Sequence, residues 1–337
     1  MSNRNYILDG MMGLVVGDAL GCPVQFLSRE RIWNRGLVTG MEGYGTYNMP
    51  VGTWTDDGSM ALATLASINE KDNIVLEDIM QRFMDWEFHG DYTPFGEAFD
   101  EGNTCSMAIH HYAKNKNVQT CGRTGEYANG NGALMRILPV CLYYINLQNQ
   151  LGVLDDEAIR DIHNVTSLTH NHLRSHMASG LYYFMAKAIV KEKEADRKLC
   201  ENMDIKKCLQ QGLDEGFHFY RQNFVHLTEM RHFKRLFHLD KFKNVQETEI
   251  RSSGYVLDTI EAVIWCLITT DTFESCLLKA VNLGDDTDTV AAIAGGLAGL
   301  YYGYESMPKE WLAAIQKREW IEEMCSGRTW KEGEIHQ

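Results

Sequence analysis

The chain has no Cys-x-x-Cys pair: its nine cysteines stand singly at positions 22, 105, 121, 141, 200, 208, 266, 276 and 325. A zinc site or redox dithiol built on paired cysteines is thereby disfavoured, and reduced thiols in a cytoplasmic protein are the simplest reading. Proline is scarce, and the five at 23, 50, 94, 139 and 308 leave long intervals through which helices run uninterrupted. Positive charge is short as well. With 32 Lys+Arg against 46 Asp+Glu, the net charge of −14 argues against nucleic acid or an anionic membrane as a partner. No signal peptide is expected, because Asp9 and Asp18 cut the apolar N-terminal stretch. The longest uncharged apolar stretch, Val290 to Tyr304, is shorter than the ~18–20 residues a membrane-spanning helix needs. The chain also lacks a P-loop lysine, a full G-x-G-x-x-G fingerprint, a G-x-S-x-G elbow, an H-E-x-x-H pair and an EF-hand loop. Nucleotide triphosphate, nicotinamide, serine-nucleophile and EF-hand calcium chemistry are therefore not indicated.

What is present is helical periodicity. It predicts helices at Tyr6–Leu20, Ser59–Asn69, Leu76–Phe88, Thr104–Lys114, Ala133–Gln148, Asp155–Ser167, Leu173–Lys191 and Ile205–Arg221. Four more are predicted at Gly254–Leu267, Thr272–Val281, Thr289–Tyr302 and Lys309–Arg318. Strand signals are weak. Gly10, Gly13, Gly17 and Gly21 recur along the first helix, a line without side chains that lets another helix come close. No linker or repeat divides the chain, and Lys187–Lys207 reads as a solvated helix face and turn.

Two oxygen-rich clusters stand more than two hundred residues apart: Thr55-Asp56-Asp57 and Asp285-Asp286-Thr287-Asp288-Thr289. Each precedes an apolar helix, so helix capping is one reading of either. The second has more carboxylates than a cap requires. Brought together, the clusters would repel unless a hard divalent cation joined them, and carboxylate and hydroxyl oxygens suit Mg²⁺ or Mn²⁺. Asn129-Gly130-Asn131-Gly132 is either a tight turn or a backbone anion nest, since asparagine and glycine tolerate positive φ. His172 and His176 have zinc-ligand spacing but no third ligand, and read as hydrogen-bonding groups.

Taken in order, Gly17-Asp18-Ala19-Leu20-Gly21, Gly52-Thr53-Trp54-Thr55-Asp56-Asp57, Gly130-Asn131-Gly132-Ala133-Leu134-Met135-Arg136, Thr169-His170 and Asp286-Thr287-Asp288-Thr289 resemble the ADP-ribosylglycohydrolases. The resemblance runs from about Leu8 to Tyr302 and implies an all-α fold, one compact multi-helix domain over 1–337, with a dinuclear metal site at the base of a cleft. It implies two divalent cations, Mg²⁺ or Mn²⁺, on Thr55, Asp56, Asp57, Asp286, Asp288 and Thr289. It also implies an ADP-ribose site drawing on Gln25, Asn129, Gly130, Asn131, Gly132, Met135, His170, Gly254 and Tyr255, with the Tyr255 ring near the adenine. Asp100, in a loop similar to one that carries an acid near the scissile bond, and Asp286 are the implied catalytic residues.

Two positions depart from the pattern. Gln25 replaces a frequent glutamate on which serine-directed members are thought to depend, and Asp285 is an extra carboxylate. The expected activity is hydrolysis of the N-glycosidic bond between ADP-ribose and a protein arginine. The substrate is then ADP-ribosylated protein and ADP-ribose the product, with no nucleic acid or membrane partner. The alternatives are another conjugate (O-acetyl-ADP-ribose, ADP-ribosyl-serine or nucleic acid) or a non-catalytic ADP-ribose-binding, crystallin-like protein.

Overall fold

A computed structural model describes residues 5–199, 204–222 and 224–326. Cys200 and part of Lys187–Lys207 lie outside them. The helices are α1 (Tyr6–Gly21), α2 (Arg29–Arg35), α3 (Asp56–Lys71), α4 (Leu76–His89), α5 (Asn103–Asn115), α6 (Leu138–Leu151), α7 (Asp155–Ser167) and α8 (Leu173–Leu199). They continue as α9 (Ile205–Arg221), α10 (Phe224–Met230), α11 (Leu239–Phe242), α12 (Val256–Ile268), α13 (Phe273–Asn282), α14 (Thr287–Tyr302), α15 (Lys309–Ala314) and α16 (Arg318–Ser326). Among the described residues there are three isolated β-bridges and no strand, and the helices enclose one continuous apolar core.

The centre of that core is a backbone-to-backbone contact between α1 and α14. A Cβ added at Gly13 would lie 2.2 Å from the Gly295 carbonyl oxygen, and one at Gly17 would lie 2.0 Å from that of Ala291. A Cβ at Gly21 would lie 2.4 Å from the Asp288 backbone. Partner numbers fall as α1 advances, so the two helices run antiparallel. The glycine line predicted to admit a helix therefore admits α14, and the C-terminal end of α1 meets the N-terminal end of α14. Tyr6–Val24 is long and apolar enough to cross a membrane, but 89% of its apolar window is buried inside the protein. Gly17→Val should lower unfolding stability by at least about 1–3 kcal/mol, the usual cost of overpacking, read from the urea midpoint. An unchanged midpoint would mean that α1 and α14 are not in backbone contact.

The structure departs from the predicted helices in instructive places. Ala133–Gln148 is not one helix: Leu134–Arg136 forms a 3-10 turn and α6 begins at Leu138. Pro139 is the cause, because its ring excludes the carbonyl four residues earlier from a continuing helix, whereas the first turn tolerates it. Lys309–Arg318 divides into α15 and α16 around Lys317, at φ 51°. There the chain turns to let Gln316 N–H donate to the Gly52 carbonyl at 3.0 Å. The helices predicted from Ser59 and Thr289 begin earlier, at Asp56 and Thr287, which places acidic residues inside their first turns. Helix N-termini favour negative charge there.

Candidate active site

Asp18 organises the first acidic cluster. Buried on α1, it accepts the Thr55 N–H at 2.9 and 3.0 Å and the Gly58 N–H at 2.7 Å, so it satisfies free donors at the start of α3. That bond draws Thr55-Asp56-Asp57 to the C-terminal end of α1. The antiparallel α14 brings the second cluster to the same point, where the Thr287 hydroxyl donates to the Gly21 carbonyl at 2.8 Å. The clusters then touch: the Thr289 hydroxyl donates to Asp57 Oδ2 at 3.2 Å, as does the Thr55 hydroxyl at 3.2 Å. Oxygens of Asp18, Asp57 and Asp288 lie within 4.8 Å of one another.

The other acids surround this triad. Asp286 Oδ2 accepts the Asn131 amide at 2.6 Å. Asp100, in the left-handed region at φ 65°, accepts the Tyr47 hydroxyl, and Gln25 and Asp288 stand near it. Burial pushes the Asp18 carboxyl up to about 7, against the pull of the Thr55 and Gly58 backbone bonds. Asp56, Asp57 and Asp288 are held well above the usual carboxylate range, first by burial and then by neighbouring carboxylate charge, that of Asp100 on Asp56 and Asp288 and that of Asp18 on Asp57. Burial also raises Asp100 and Asp286, with hydrogen bonds from Tyr47 and Asn131 working the other way.

Both carboxylate oxygens of Asp288, Oδ1 of Asp57 and Oδ2 of Asp100 are buried without a hydrogen-bond partner. Rigidly held, unsatisfied carboxylate oxygens fit a hard divalent cation, which would relieve both repulsion and desolvation. Mg²⁺ or Mn²⁺ should therefore raise the melting temperature of chelator-treated protein, by about 2.7 kcal/mol of stabilisation at a hundred times Kd. Melting curves that ignore both ions would remove the metal from this cluster.

Above the carboxylates opens a cleft of about 500 Å³. Asp56, Asp286 and Thr289 reach its floor, while Thr55, Asp57 and Asp288 lie beneath. Gly130, Asn131, Gly132, Met135 and His170 line one wall, and Asp100 with Gly102–Cys105 line another. Gln25, Phe26, Ser253, Gly254 and Asp285 complete the lining. Asp285 faces this opening with an exposed side chain, and its carbonyl accepts the Phe26 N–H at 2.7 Å.

Residues 129–132 do not form a positive-φ nest. They pair with 254–256, through Asn131 N–H to the Gly254 carbonyl at 3.0 Å and Val256 N–H to that of Asn129 at 2.9 Å. The glycines are needed for space: a Cβ on Gly132 would sit 2.9 Å from Cys105 Sγ, and one on Gly130 would sit 3.1 Å from His170 Nε2.

Two expected binding residues do not line the cleft. The Asn129 amide donates to the Glu126 carbonyl at 2.9 Å and its oxygen accepts the Ser175 hydroxyl at 3.1 Å. Tyr255 sits beside the Gly254 wall, partly buried, its hydroxyl accepting an Arg174 N–H at 2.8 Å. His176 bonds the Ser167 hydroxyl at 2.8 Å, and His172 Nδ1 accepts the Arg174 backbone N–H at 3.1 Å, in keeping with hydrogen-bonding roles. The sequence reading missed Asp18 as a site residue. Its signal was an aspartate directly after Gly17, in a helix whose only other charged residue is Asp9. Tyr47, which holds Asp100, carried no such signal. All eight described cysteines are buried.

The comparisons agree with this geometry. The ADP-ribosylglycohydrolase family model matches residues 1–335. ADP-ribosylarginine hydrolase Tri1 of Serratia proteamaculans is 29% identical over 316 residues, 94% of this chain and 76% of the relative. ADP-ribosyl-[dinitrogen reductase] glycohydrolase of Rhodospirillum rubrum is 30% identical over 314 residues, 92% of this chain and 90% of the relative. A solved structure titled "ADP-ribosylglycohydrolase-related protein complex" superposes with a TM-score of 0.72 at 26% identity, covering 95% of each chain. With its cleft standing on a buried floor of aspartates, the chain belongs to the ADP-ribosylglycohydrolase family.

Proposed function

We propose that the protein hydrolyses the N-glycosidic bond joining ADP-ribose to an arginine side chain of a modified protein. The observation that carries this reading is that Asp100 and Gln25 line the same cleft. A carboxylate with one unpartnered oxygen stands on the cleft wall, and an amide, unable to exchange a proton, stands beside it. The arginine hydrolase and dinitrogen reductase glycohydrolase relatives support the same direction.

In this reading the ribose rests on the floor, and the Gly130–Gly132 wall, Met135 and His170 hold the diphosphate and ribose. The adenine lies toward Gly254 and the Tyr255 ring. Thr55, Asp56, Asp57, Asp286, Asp288 and Thr289 would hold two divalent cations, Mg²⁺ or Mn²⁺, which when bound would supply Lewis-acid chemistry at the floor. Asp18 anchors the first ligand set from behind.

As the bond from the anomeric carbon to nitrogen breaks, its electron pair leaves with the guanidine and positive charge grows on the ribose carbon. The surrounding carboxylates stabilise that charge. Water adds to the carbon, and Asp100 passes the proton that water loses to the guanidine nitrogen. Burial, which raises the proton affinity of Asp100, suits it to this transfer.

The test is incubation with arginine-linked and serine-linked ADP-ribosylated protein, with and without Mg²⁺, followed by product analysis. Metal-dependent release of ADP-ribose from the arginine conjugate is expected. Release from the serine conjugate alone would overturn the arginine assignment.

A further inference from the structure

Behind the cleft wall lies an arginine without an acidic partner among the described residues. Arg136 is completely buried, and its Nε and Nη1 have no hydrogen-bond partner. Its plane lies over the Phe83 ring at 4.6 Å, and only Nη2 is used, donating to the Thr169 hydroxyl at 2.8 Å and to the Val165 carbonyl at 3.3 Å. Burying an unpaired guanidinium is costly, so its retention needs a reason beyond packing. Burial lowers its pKa to about 10, which still leaves it charged at neutral pH.

The Thr169 hydroxyl oxygen also lies 2.8 Å from Nδ1 of His170. Having accepted the Arg136 N–H, it has one proton of its own to place. His170 Nδ1 is the nitrogen acceptor in reach, and among the described residues the Cys105 sulfur, a weak acceptor, competes with it. A hydroxyl that gives this proton to Nδ1 meets a ring nitrogen that carries none. In a neutral imidazole the proton is then on Nε2. Burial keeps the ring neutral, its pKa pushed down to about 3. Nε2 has no hydrogen-bond partner among the described residues, and His170 lines the cleft beside Gly130 and Gly132. The ring is held by its burial and by the Thr169 contact, and its backbone N–H is tied to the Thr166 carbonyl at 2.9 Å.

We propose that Arg136 and Thr169 are positioning residues that fix His170 as the Nε2–H tautomer, giving the cleft wall one permanently directed N–H donor for an oxygen of the bound ADP-ribose. The ligand half of this assignment rests on the function proposed above; the tautomer half does not.

The test uses full-length protein labelled with ¹⁵N-histidine, with two-bond ¹H–¹⁵N correlations recorded in the absence of ligand. His170 is assigned by the signals lost in His170→Gln. The expected pattern is a protonated Nε2 and a bare Nδ1. Thr169→Val, nearly the same shape without the hydroxyl, should move His170 toward the Nδ1–H form or an exchanging mixture. It should also weaken ADP-ribose binding about 2- to 10-fold, the worth of one neutral hydrogen bond. Thr169→Ser, which returns the hydroxyl, should restore both. A wild-type Nδ1–H tautomer, or an unchanged tautomer in Thr169→Val, would overturn the relay. Because the tautomer is read on free protein, failure of ADP-ribose to bind the wild type would instead overturn the proposed function.

Discussion

Asp57→Asn and Asp286→Asn should each lower bound metal and turnover at least a hundredfold, and the double variant should fall little below the worse single one. Partners one step removed from a metal typically cost about 10–100-fold when lost, so the ligands themselves should cost at least the upper figure. Non-additivity follows from the geometry. The Thr289 hydroxyl bonds Asp57 at 3.2 Å, and the oxygens of Asp57, Asp288 and Asp18 share a sphere of less than 5 Å. Residues that act as one unit lose most of their joint contribution when the first is removed. Metal content and kcat/KM measured across the four proteins decide the matter. Independent, multiplicative losses would mean two separate sites.

Asp100→Asn should cut turnover on the arginine conjugate by about 10²–10⁴, the usual contribution of a positioned acid or base, while ADP-ribose affinity changes little. The substitution isolates the carboxyl group well. Asparagine tolerates the left-handed backbone that Asp100 adopts at φ 65°, and its amide oxygen can still accept the Tyr47 hydroxyl. What it loses is the ability to take up and release a proton. Gln25→Glu is the companion variant: it adds a titratable group on the same cleft lining and should leave the arginine reaction in place while opening weak activity on a serine conjugate. Near-normal turnover by Asp100→Asn, measured as kcat at saturating substrate, would send the search to another acid.

The helical nature of the chain was legible in its sequence because apolar spacing and helix periodicity are local properties. The same holds for the oxygen chemistry of the two clusters: Thr55, Asp56, Asp57, Asp286, Asp288 and Thr289 offer only hard ligands whatever the fold. The glycine line at 10, 13, 17 and 21 announced a close helix contact but did not name its partner. Local signals stop where distance along the chain begins. Only packing shows that α14 lies antiparallel on that line, and only that direction sets Thr287–Thr289 against the end of α1. Asp18 is the clearest case. In sequence it is one of two aspartates in a mostly apolar helix; in three dimensions its carboxylate takes the N–H groups of Thr55 and Gly58 and so holds the first cluster at the end of α1. The 129–132 loop shows the converse. Its glycines suggested unusual dihedrals, yet what they supply is room for His170 and Cys105, neighbours from other segments of the chain. Tertiary structure alone also turned Asn129 and the Tyr255 hydroxyl away from the cleft, since their partners, Ser175 and Arg174, come from α8. A hydrogen-bond partner that is remote in sequence leaves no periodic trace, so the orientation of a polar side chain is decided by the fold.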